Sequence, residues 1–167
     1  RYQYVLPYYD FSRSFFEDNN FASFNFISQG DNILKDTNSL RSRMINNLNI
    51  QSYDYFSENG IKNNFNYYLK NVISAGKNNI EYDSSPHIKL MNIFELVSSF
   101  PLVNISKNYS NYLDPKISLR INPSDMKSYK NENRIINNDN LFNINRLGLI
   151  DTLESGNNLT LGLNYKR

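Results

Sequence analysis

The alternation of apolar and polar residues at every second position is the feature that most constrains how this chain folds. From Leu40 to Gln51 the even positions are mainly apolar, whereas the odd positions are mainly polar. The run from Ile61 to Ile73 repeats the pattern after residues 57–60, whose Asn-Gly pair is a strong signal for a β-hairpin. A helical period of 3.6 residues is hard to find along the chain. The pattern therefore predicts an all-β protein with antiparallel strands.

About seven strands are expected, and they should follow one another as a meander. Short connections are predicted near 16–20 and 57–60, and longer ones near 30–38, 75–87 and 101–111. One face of the run from Ile88 to Phe100 carries Met91 and Ile93 beside charged residues, which leaves this strand ambiguous. The stretch 123–157 contains no convincing strand and is predicted to be one long loop. A loop of this length in a folded domain is usually functional or disordered.

Strand length and polarity together favour a membrane barrel. Several alternating runs extend over about 11 to 16 residues, whereas globular strands are commonly about 5–6 and tilted membrane-crossing strands need about 9–11. The second face of these strands is too polar for a dry core. A mean hydropathy of −0.60 does not oppose this interpretation, because a barrel places apolar residues only at alternate positions. We therefore expect residues 1–167 to form part of a single transmembrane β-barrel domain, an internal fragment of a larger barrel.

Composition excludes several other classes of function. A net charge of +2, with 18 basic residues scattered along the chain, does not indicate a nucleic-acid partner. The sequence contains no cysteine, so thiolate metal sites are excluded. The one histidine, His87, follows Ser84, Ser85 and Pro86 without the spacing of a catalytic triad. The carboxylates are isolated and lack metal-ligand spacing. We expect no catalytic residues, no metal site and no cofactor.

Two elements in the last third of the chain resemble a known family. The first is Leu113-Asp114-Pro115, followed by the alternating run that ends at Pro123. The second pairs Asn145-Arg146 and Asp151 with a short strand that starts at Asn158 and includes Leu159, Thr160 and Gly162. In this order and spacing they resemble the C-terminal barrel of the lipopolysaccharide-assembly outer-membrane proteins, the LptD (OstA) family. Thr152 departs from the family, which often has Arg there.

The resemblance implies a function in lipopolysaccharide export. The family's barrel lies in the bacterial outer membrane, encloses a plug lipoprotein (LptE-like), receives lipopolysaccharide from the periplasmic Lpt bridge and releases it into the outer leaflet. No bond is made or broken, so the resemblance implies a translocon and not an enzyme. The family's periplasmic jellyroll domain and its gate between first and last strands are expected outside this segment.

The period-2 pattern predicts which side chains face lipid and which face the lumen. Lipid contact is expected for Leu48, Phe65, Leu69, Leu96 and Leu119, and a lumen position for Asn47, Asn66, Glu95 and Arg120. The candidate lumen-facing basic residues, which could attract phosphates and acidic sugars, are Arg41, Arg43, Lys62, Lys70, Lys89, Lys116 and Arg120. A polar face is also what water in a lumen alone would require.

Connection lengths predict the orientation of the barrel. Because extracellular loops are long and periplasmic turns are short, we expect the loop at about 123–157 to be extracellular and to fold over or into the lumen mouth. Its lysines Lys127 and Lys130 should then react with a membrane-impermeant reagent. Asn145, Arg146 and Asp151 are expected to shape this loop through bonds from side chain to backbone.

Two alternatives stay open at this stage. One is another outer-membrane barrel, such as a porin or a receptor-type transporter, which would share the alternation but not the two motifs. The other is a soluble, Asn-rich β-sandwich used for adhesion or binding, which would need both faces of its strands to be buried.

Overall fold

The chain folds into one antiparallel β-sheet. The computed structural model describes residues 2–15, 21–36, 38–126 and 135–167. These form nine strands and no helix. The strands are β1 (Gln3–Phe15), β2 (Ala22–Lys35), β3 (Ser39–Ser52), β4 (Tyr55–Phe56), β5 (Lys62–Lys77), β6 (His87–Ser99), β7 (Leu102–Ile105), β8 (Ser110–Asn122) and β9 (Gly156–Lys166). The predicted all-β class is confirmed. None of the described residues forms a helix long and apolar enough to cross a membrane.

The nine strands form a meander of seven long strands, two of which are interrupted. Strands β3 and β4 both pair with β5, and they are separated at Tyr53 and Asp54. Strands β6 and β7 both pair with β8, and they are separated at Phe100 and Pro101. Proline has no N–H to donate to a ladder, which suits Pro101 to such an interruption. The outer edges of β1 and β9 have no strand partner among the described residues, so that the sheet is open.

Three connections are expected at one end of the sheet, and two of them can be compared with the structure. The turn at 57–60 is confirmed: the Gly60 N–H donates to the Ser57 carbonyl at 2.9 Å, and Gly60 has a φ of +79°. The long connection expected near 101–111 is wrong, because this region contains β7 and a tight turn in which the Ser106 N–H donates to the Tyr109 carbonyl. The turn expected near 16–20 lies outside the described residues.

At the other end, one expectation is corrected and two are met. The loop expected at 30–38 is wrong, since β2 continues to Lys35 and a short turn containing Asp36 joins it to β3. The charged Asp31 stays inside β2 because it pairs with Arg43 on the neighbouring strand. A longer connection does lie at 78–86, between β5 and β6. The stretch predicted to lack strands, 123–157, contains none in its described parts up to residue 155, and β9 begins two residues before the predicted end, at Gly156. Lys127 and Lys130 lie outside the described residues.

The two faces of the sheet differ in composition as the alternation predicts. On the apolar face, Leu48 lies opposite Leu69, and Leu96 lies between Phe65 and Leu119. On the other side, the polar face, Asn47 lies opposite Lys70, and Glu95 lies between Asn66 and Arg120. Contact of the apolar face with lipid stays a prediction.

A core forms on the polar face and not between two sheets. Residues 135–155, called the covering segment below, lie on the polar face without adding a strand. Leu153 of this segment packs against Ile45, Val72, Met91 and Ile93 of the sheet, and Met91 and Ile93 are 0% exposed. This contact explains why the polar side of β6 is half apolar in sequence.

One row of polar side chains crosses the apolar face. The Ser28 hydroxyl donates to the Asn46 side-chain oxygen at 2.6 Å, and the Asn46 amide donates to Asn71 at 3.3 Å. The Tyr9 hydroxyl lies 3.1 Å from the Ser28 hydroxyl. These groups therefore bond to one another across four adjacent strands.

Candidate functional site

The candidate site is the polar face of the sheet together with the covering segment. Within the segment, the Gly148 N–H donates to the Asn145 carbonyl at 3.0 Å, and Gly148 adopts a φ of +61° that favours glycine. The Asn145 side-chain amide also donates to the Leu149 carbonyl at 3.0 Å. This tight turn places Leu147 and Leu149 in buried positions against the sheet. The expected bond from the Asn145 side chain to the backbone is present.

A buried network of charges joins the covering segment to β6 and β8. The Arg120 side chain is 3% exposed and lies 3.7 Å from Glu95, which is 2% exposed. Arg120 also donates to the Asn143 carbonyl and lies 3.5 Å from Glu154. Glu95 accepts hydrogen bonds from Ser118 at 2.8 Å and from Asn66 at 3.0 Å. Because buried charges are costly unless they are paired, each charge here depends on the others.

Arg146 completes this network from the covering segment. Its Nε and Nη2 each donate to a Glu154 carboxylate oxygen at 2.5 Å, which is a bidentate pair. The Asn122 side chain at the end of β8 donates to the Glu154 carbonyl at 2.6 Å. The expectation that Arg146 would bond to backbone is therefore corrected in part, since a carboxylate eight residues away accepts two of its hydrogen bonds.

A second junction lies between β5, the 78–86 connection and the covering segment. The Lys70 ammonium, on a buried side chain, donates to the Ile150 carbonyl at 2.5 Å. The Tyr82 hydroxyl donates to Asp151 at 2.9 Å. Burial, then the hydrogen bond to Asp151 and the charge of Asp151, raise the pKa of Tyr82 to about 12. Asp151 thus accepts a side-chain bond here, where the sequence predicted a bond to backbone.

All seven candidate basic residues lie on the polar face. Lys89 lies opposite Val72, and each of the other six has a partner there. Arg41 and Arg43 donate to Asp31 at 3.0 and 2.7 Å. Lys62 pairs with Asp54 at 2.9 Å. The Lys116 ammonium lies 4.5 Å from the centre of the Phe142 ring, and the partners of Lys70 and Arg120 are given above. A pocket of about 270 Å³ remains beside Phe142, lined in part by Lys62, Lys116 and Asp114. Carboxylates, backbone carbonyls and one aromatic ring thus face these cations.

The motif residues of β8 and β9 lie where the covering segment meets the sheet. Thr160 and Gly162 point to the polar face, whereas Leu159 lies on the apolar face. A Cβ atom at Gly162 would come within 2.6 Å of the Phe142 ring, so glycine is required for the ring to pack this close to β9. Pro115 accepts a hydrogen bond from the Phe100 N–H beside the strand interruption. Pro123 follows the last residue of β8.

His87 is exposed at the start of β6, and the described residues contain no group of three or more His, Cys, Asp or Glu that could hold a metal ion. Sequence reasoning missed five partners of the candidate residues: Asp31, Asp54, Tyr82, Phe142 and Glu154. One feature of the sequence could have indicated a cover over the polar face. Apolar residues stand at four positions of that face, Ile45, Val72, Met91 and Ile93, and they need another part of the protein to bury them. Comparison of the chain with protein-family models, with curated proteins and with solved structures found no match.

Proposed function

We propose that the chain is part of the wall of a bacterial outer-membrane β-barrel that carries lipopolysaccharide into the outer leaflet. The observation that carries the membrane part of this proposal is the polarity of the sheet. Its apolar face is exposed, whereas its polar face holds the buried core and the ion network. A protein folded in water would bury the opposite face, because apolar burial is the main force in folding.

The apolar face is too extensive for an ordinary soluble surface. Exposed contiguous apolar patches beyond a few hundred Å² mark contacts with partners or membranes. On β9 alone, Leu161 and Leu163 are each 70% exposed. Exposed apolar residues continue across the neighbouring strands: Leu40, Met44, Phe65, Ile88, Leu90, Phe94, Ile117, Leu119, Ile121 and Leu159. Hydrocarbon is the environment that suits such a face. The polar row from Tyr9 to Asn71 fits it too, since its members bond to one another.

Strand length and aromatic placement support the same proposal. The seven long strands contain 11 to 16 residues when β4 and β7 are left out, and about 9–11 tilted residues span a bilayer. Exposed aromatic residues gather near the end of the sheet that carries the turns after Phe56 and Ile105: Tyr53, Tyr55, Phe56, Phe100, Tyr109 and Tyr165. Aromatic girdles at the membrane interface are typical of outer-membrane barrels. A sandwich would require a second sheet on the apolar face, and the described residues form only one sheet.

Lipopolysaccharide as the cargo rests on the resemblance of residues 113–123 and 141–164 to the LptD family. These residues form β8, β9 and much of the covering segment, so the resemblance falls on one contiguous unit of the fold. The polar face carries cations and amides, which suit phosphates and sugar hydroxyls. An LptE-like plug lipoprotein and the periplasmic Lpt bridge would be its partners. Such a translocon is not an enzyme.

The experiment is depletion of the protein in cells that encode it, followed by pulse labelling of lipopolysaccharide. The proposal predicts that newly made lipopolysaccharide stops reaching the cell surface, while uptake of small hydrophilic solutes is unchanged. Normal delivery of lipopolysaccharide after depletion would refute the cargo. Fractionation of the protein away from membranes, or failure to float with lipid vesicles, would refute the barrel.

A diffusion channel is the second candidate. It is favoured by two acidic residues of the covering segment, because Asp151 lies close enough to Lys70 of β5 to affect its charge and Glu154 lies 3.5 Å from Arg120 of β8. A channel narrowed by an inward-folded loop would have such an arrangement. In the depletion experiment this candidate predicts the reverse pattern, with loss of solute uptake and normal delivery of lipopolysaccharide. Open ion conductance of the protein in planar bilayers would support it.

A further inference from the structure

The covering segment is attached to the sheet in a way that differs from every strand. Among the described residues, 135–155 adds no strand and makes no ladder of backbone hydrogen bonds with the sheet. Its contacts with the sheet are made by side chains: Leu153 and Phe142 pack against it, and polar bonds are formed by the side chains of Lys70, Tyr82, Arg120 and Asn122. The segment can therefore separate from the sheet without breaking any strand pairing. Units attached in this way open at lower free energy than the fold as a whole.

Glu154 joins the covering segment to two residues of β8, Arg120 and Asn122. Its carboxylate holds Arg146 of the covering segment in a bidentate pair and lies 3.5 Å from Arg120 of the sheet. Its backbone carbonyl accepts the bond from Asn122. The side chains of Arg120 and Arg146 are 3% and 8% exposed. Without the Glu154 charge, Arg146 would lose its bidentate partner and Arg120 one of its two carboxylates. Buried charges left in that condition destabilise the arrangement that buries them.

We propose that the covering segment is an autoinhibitory plug of the polar face and that Glu154 is its latch. While the latch is formed, the plug covers Val72, Met91 and Ile93, and its Ile150 carbonyl accepts the hydrogen bond from Lys70. When the latch opens, the plug leaves as a unit and the polar face becomes accessible, while the sheet stays paired. The identification of this face as the interior of a barrel rests on the proposed function. The plug and its latch do not depend on it.

The test uses the absence of cysteine from the sequence. A single cysteine at Val72, a residue 3% exposed beneath the plug, reports opening through its reaction with a small water-soluble maleimide. With the latch intact, V72C should react slowly. Adding E154Q, which keeps the shape of the side chain but removes its charge, should raise the rate of reaction with maleimide at least about tenfold. The charged hydrogen bonds from Arg146 are then lost, and the plug opens more often. R146Q should raise it less, because Glu154 then still faces Arg120.

The matched control is D54N, the same change of carboxylate to amide in the Lys62–Asp54 pair, which lies on the polar face but not on the plug. It should leave the rate unchanged. Hydrogen exchange of β5 and β8 amides, measured on the same samples, should remain protected in all variants. Equal rates for E154Q and its parent would overturn the latch. Rapid reaction of V72C with the latch intact would overturn the plug. Faster reaction accompanied by loss of strand protection would show unfolding of the sheet and would also overturn the proposal.

These outcomes are separable from failure of the proposed function. The labelling is carried out in detergent micelles and again in lipid vesicles. If the protein does not float with vesicles but E154Q accelerates labelling selectively, the barrel is refuted and the latch stands. If it floats normally and E154Q has no effect, the latch is refuted and the barrel stands.

Discussion

Replacing Glu95 by Gln tests whether the buried charges hold the polar face together. Glu95 is 2% exposed and accepts hydrogen bonds from Ser118 and Asn66 through different oxygens, while Arg120 lies 3.7 Å away. Glutamine has the same shape, but its NH₂ group must replace one of the two oxygens. Either Asn66 then faces a second donor, or the NH₂ faces Ser118 and the Arg120 guanidinium.

The magnitude follows from what is lost. Removing one partner of a buried ion pair costs about 3–5 kcal/mol, and Arg120 retains Glu154 at 3.5 Å, which reduces the loss. A charged hydrogen bond contributes about 1.5–3 kcal/mol. We therefore expect E95Q to lower the free energy of unfolding by about 2–3 kcal/mol. D54N, in a pair whose side chains are 38% and 43% exposed, should cost no more than about 1 kcal/mol.

The assay is urea unfolding in detergent micelles, followed by far-ultraviolet circular dichroism. Both variants replace a carboxylate by its amide, in a buried network for E95Q and in an exposed pair for D54N. Equal unfolding midpoints for E95Q and D54N would refute the view that the network stabilises the fold.

Two further predictions concern the contacts of the covering segment. G162A should destabilise the protein by about 1–3 kcal/mol through overpacking against Phe142, and F142A should abolish most of this additional cost in a double-mutant cycle; additive effects would show that the ring does not lie on β9. In an alkaline titration monitored by tyrosinate absorbance, Y82F should remove a group that ionises near pH 12. Because the pKa of Tyr82 in the folded protein lies above the usual value near 10, its stabilising contribution should be complete below about pH 10 and lost as the pH approaches 12. If Y82F and its parent show the same absorbance change near pH 12, the assignment of that pKa to Tyr82 is contradicted.

Local patterns were sufficient to predict the strands and their faces. The alternation around Leu48 and Leu69 is a property of each strand by itself, and pairing then places these residues opposite each other. The turn at Asn59-Gly60 was predictable because glycine readily adopts the required positive φ. Two local signals were misleading: Asp31 looked like part of a loop, and Pro101 like the end of a strand. Asp31 stays in β2 because it pairs with Arg43 on the neighbouring strand. After the interruption at Pro101, strand pairing resumes opposite Leu113 of the neighbouring strand.

The covering segment could be located in the sequence, but not placed. A stretch without alternation identifies a loop, whereas its position depends on contacts between distant residues. Lys70 and Ile150 are 80 positions apart, and Tyr82 and Asp151 are 69 apart. Each of these pairs is chemically ordinary, and many others could be drawn from the same sequence. Only the fold selects among them. The apolar residues on the polar face predict that a cover exists, without saying which segment provides it.

The central claim is that the apolar face meets lipid and the polar face does not. It is tested most directly by placing one arginine on each face of β5, at Leu69 and at Asn66, which lie on opposite faces of the strand. Folding into lipid vesicles is then measured by flotation and by resistance to urea. L69R should lower stability by about 2–4 kcal/mol, the cost of a charge near the bilayer midplane. N66R should be mild, because the new cation lies beside Glu95. Equal tolerance of arginine at both positions would contradict the account.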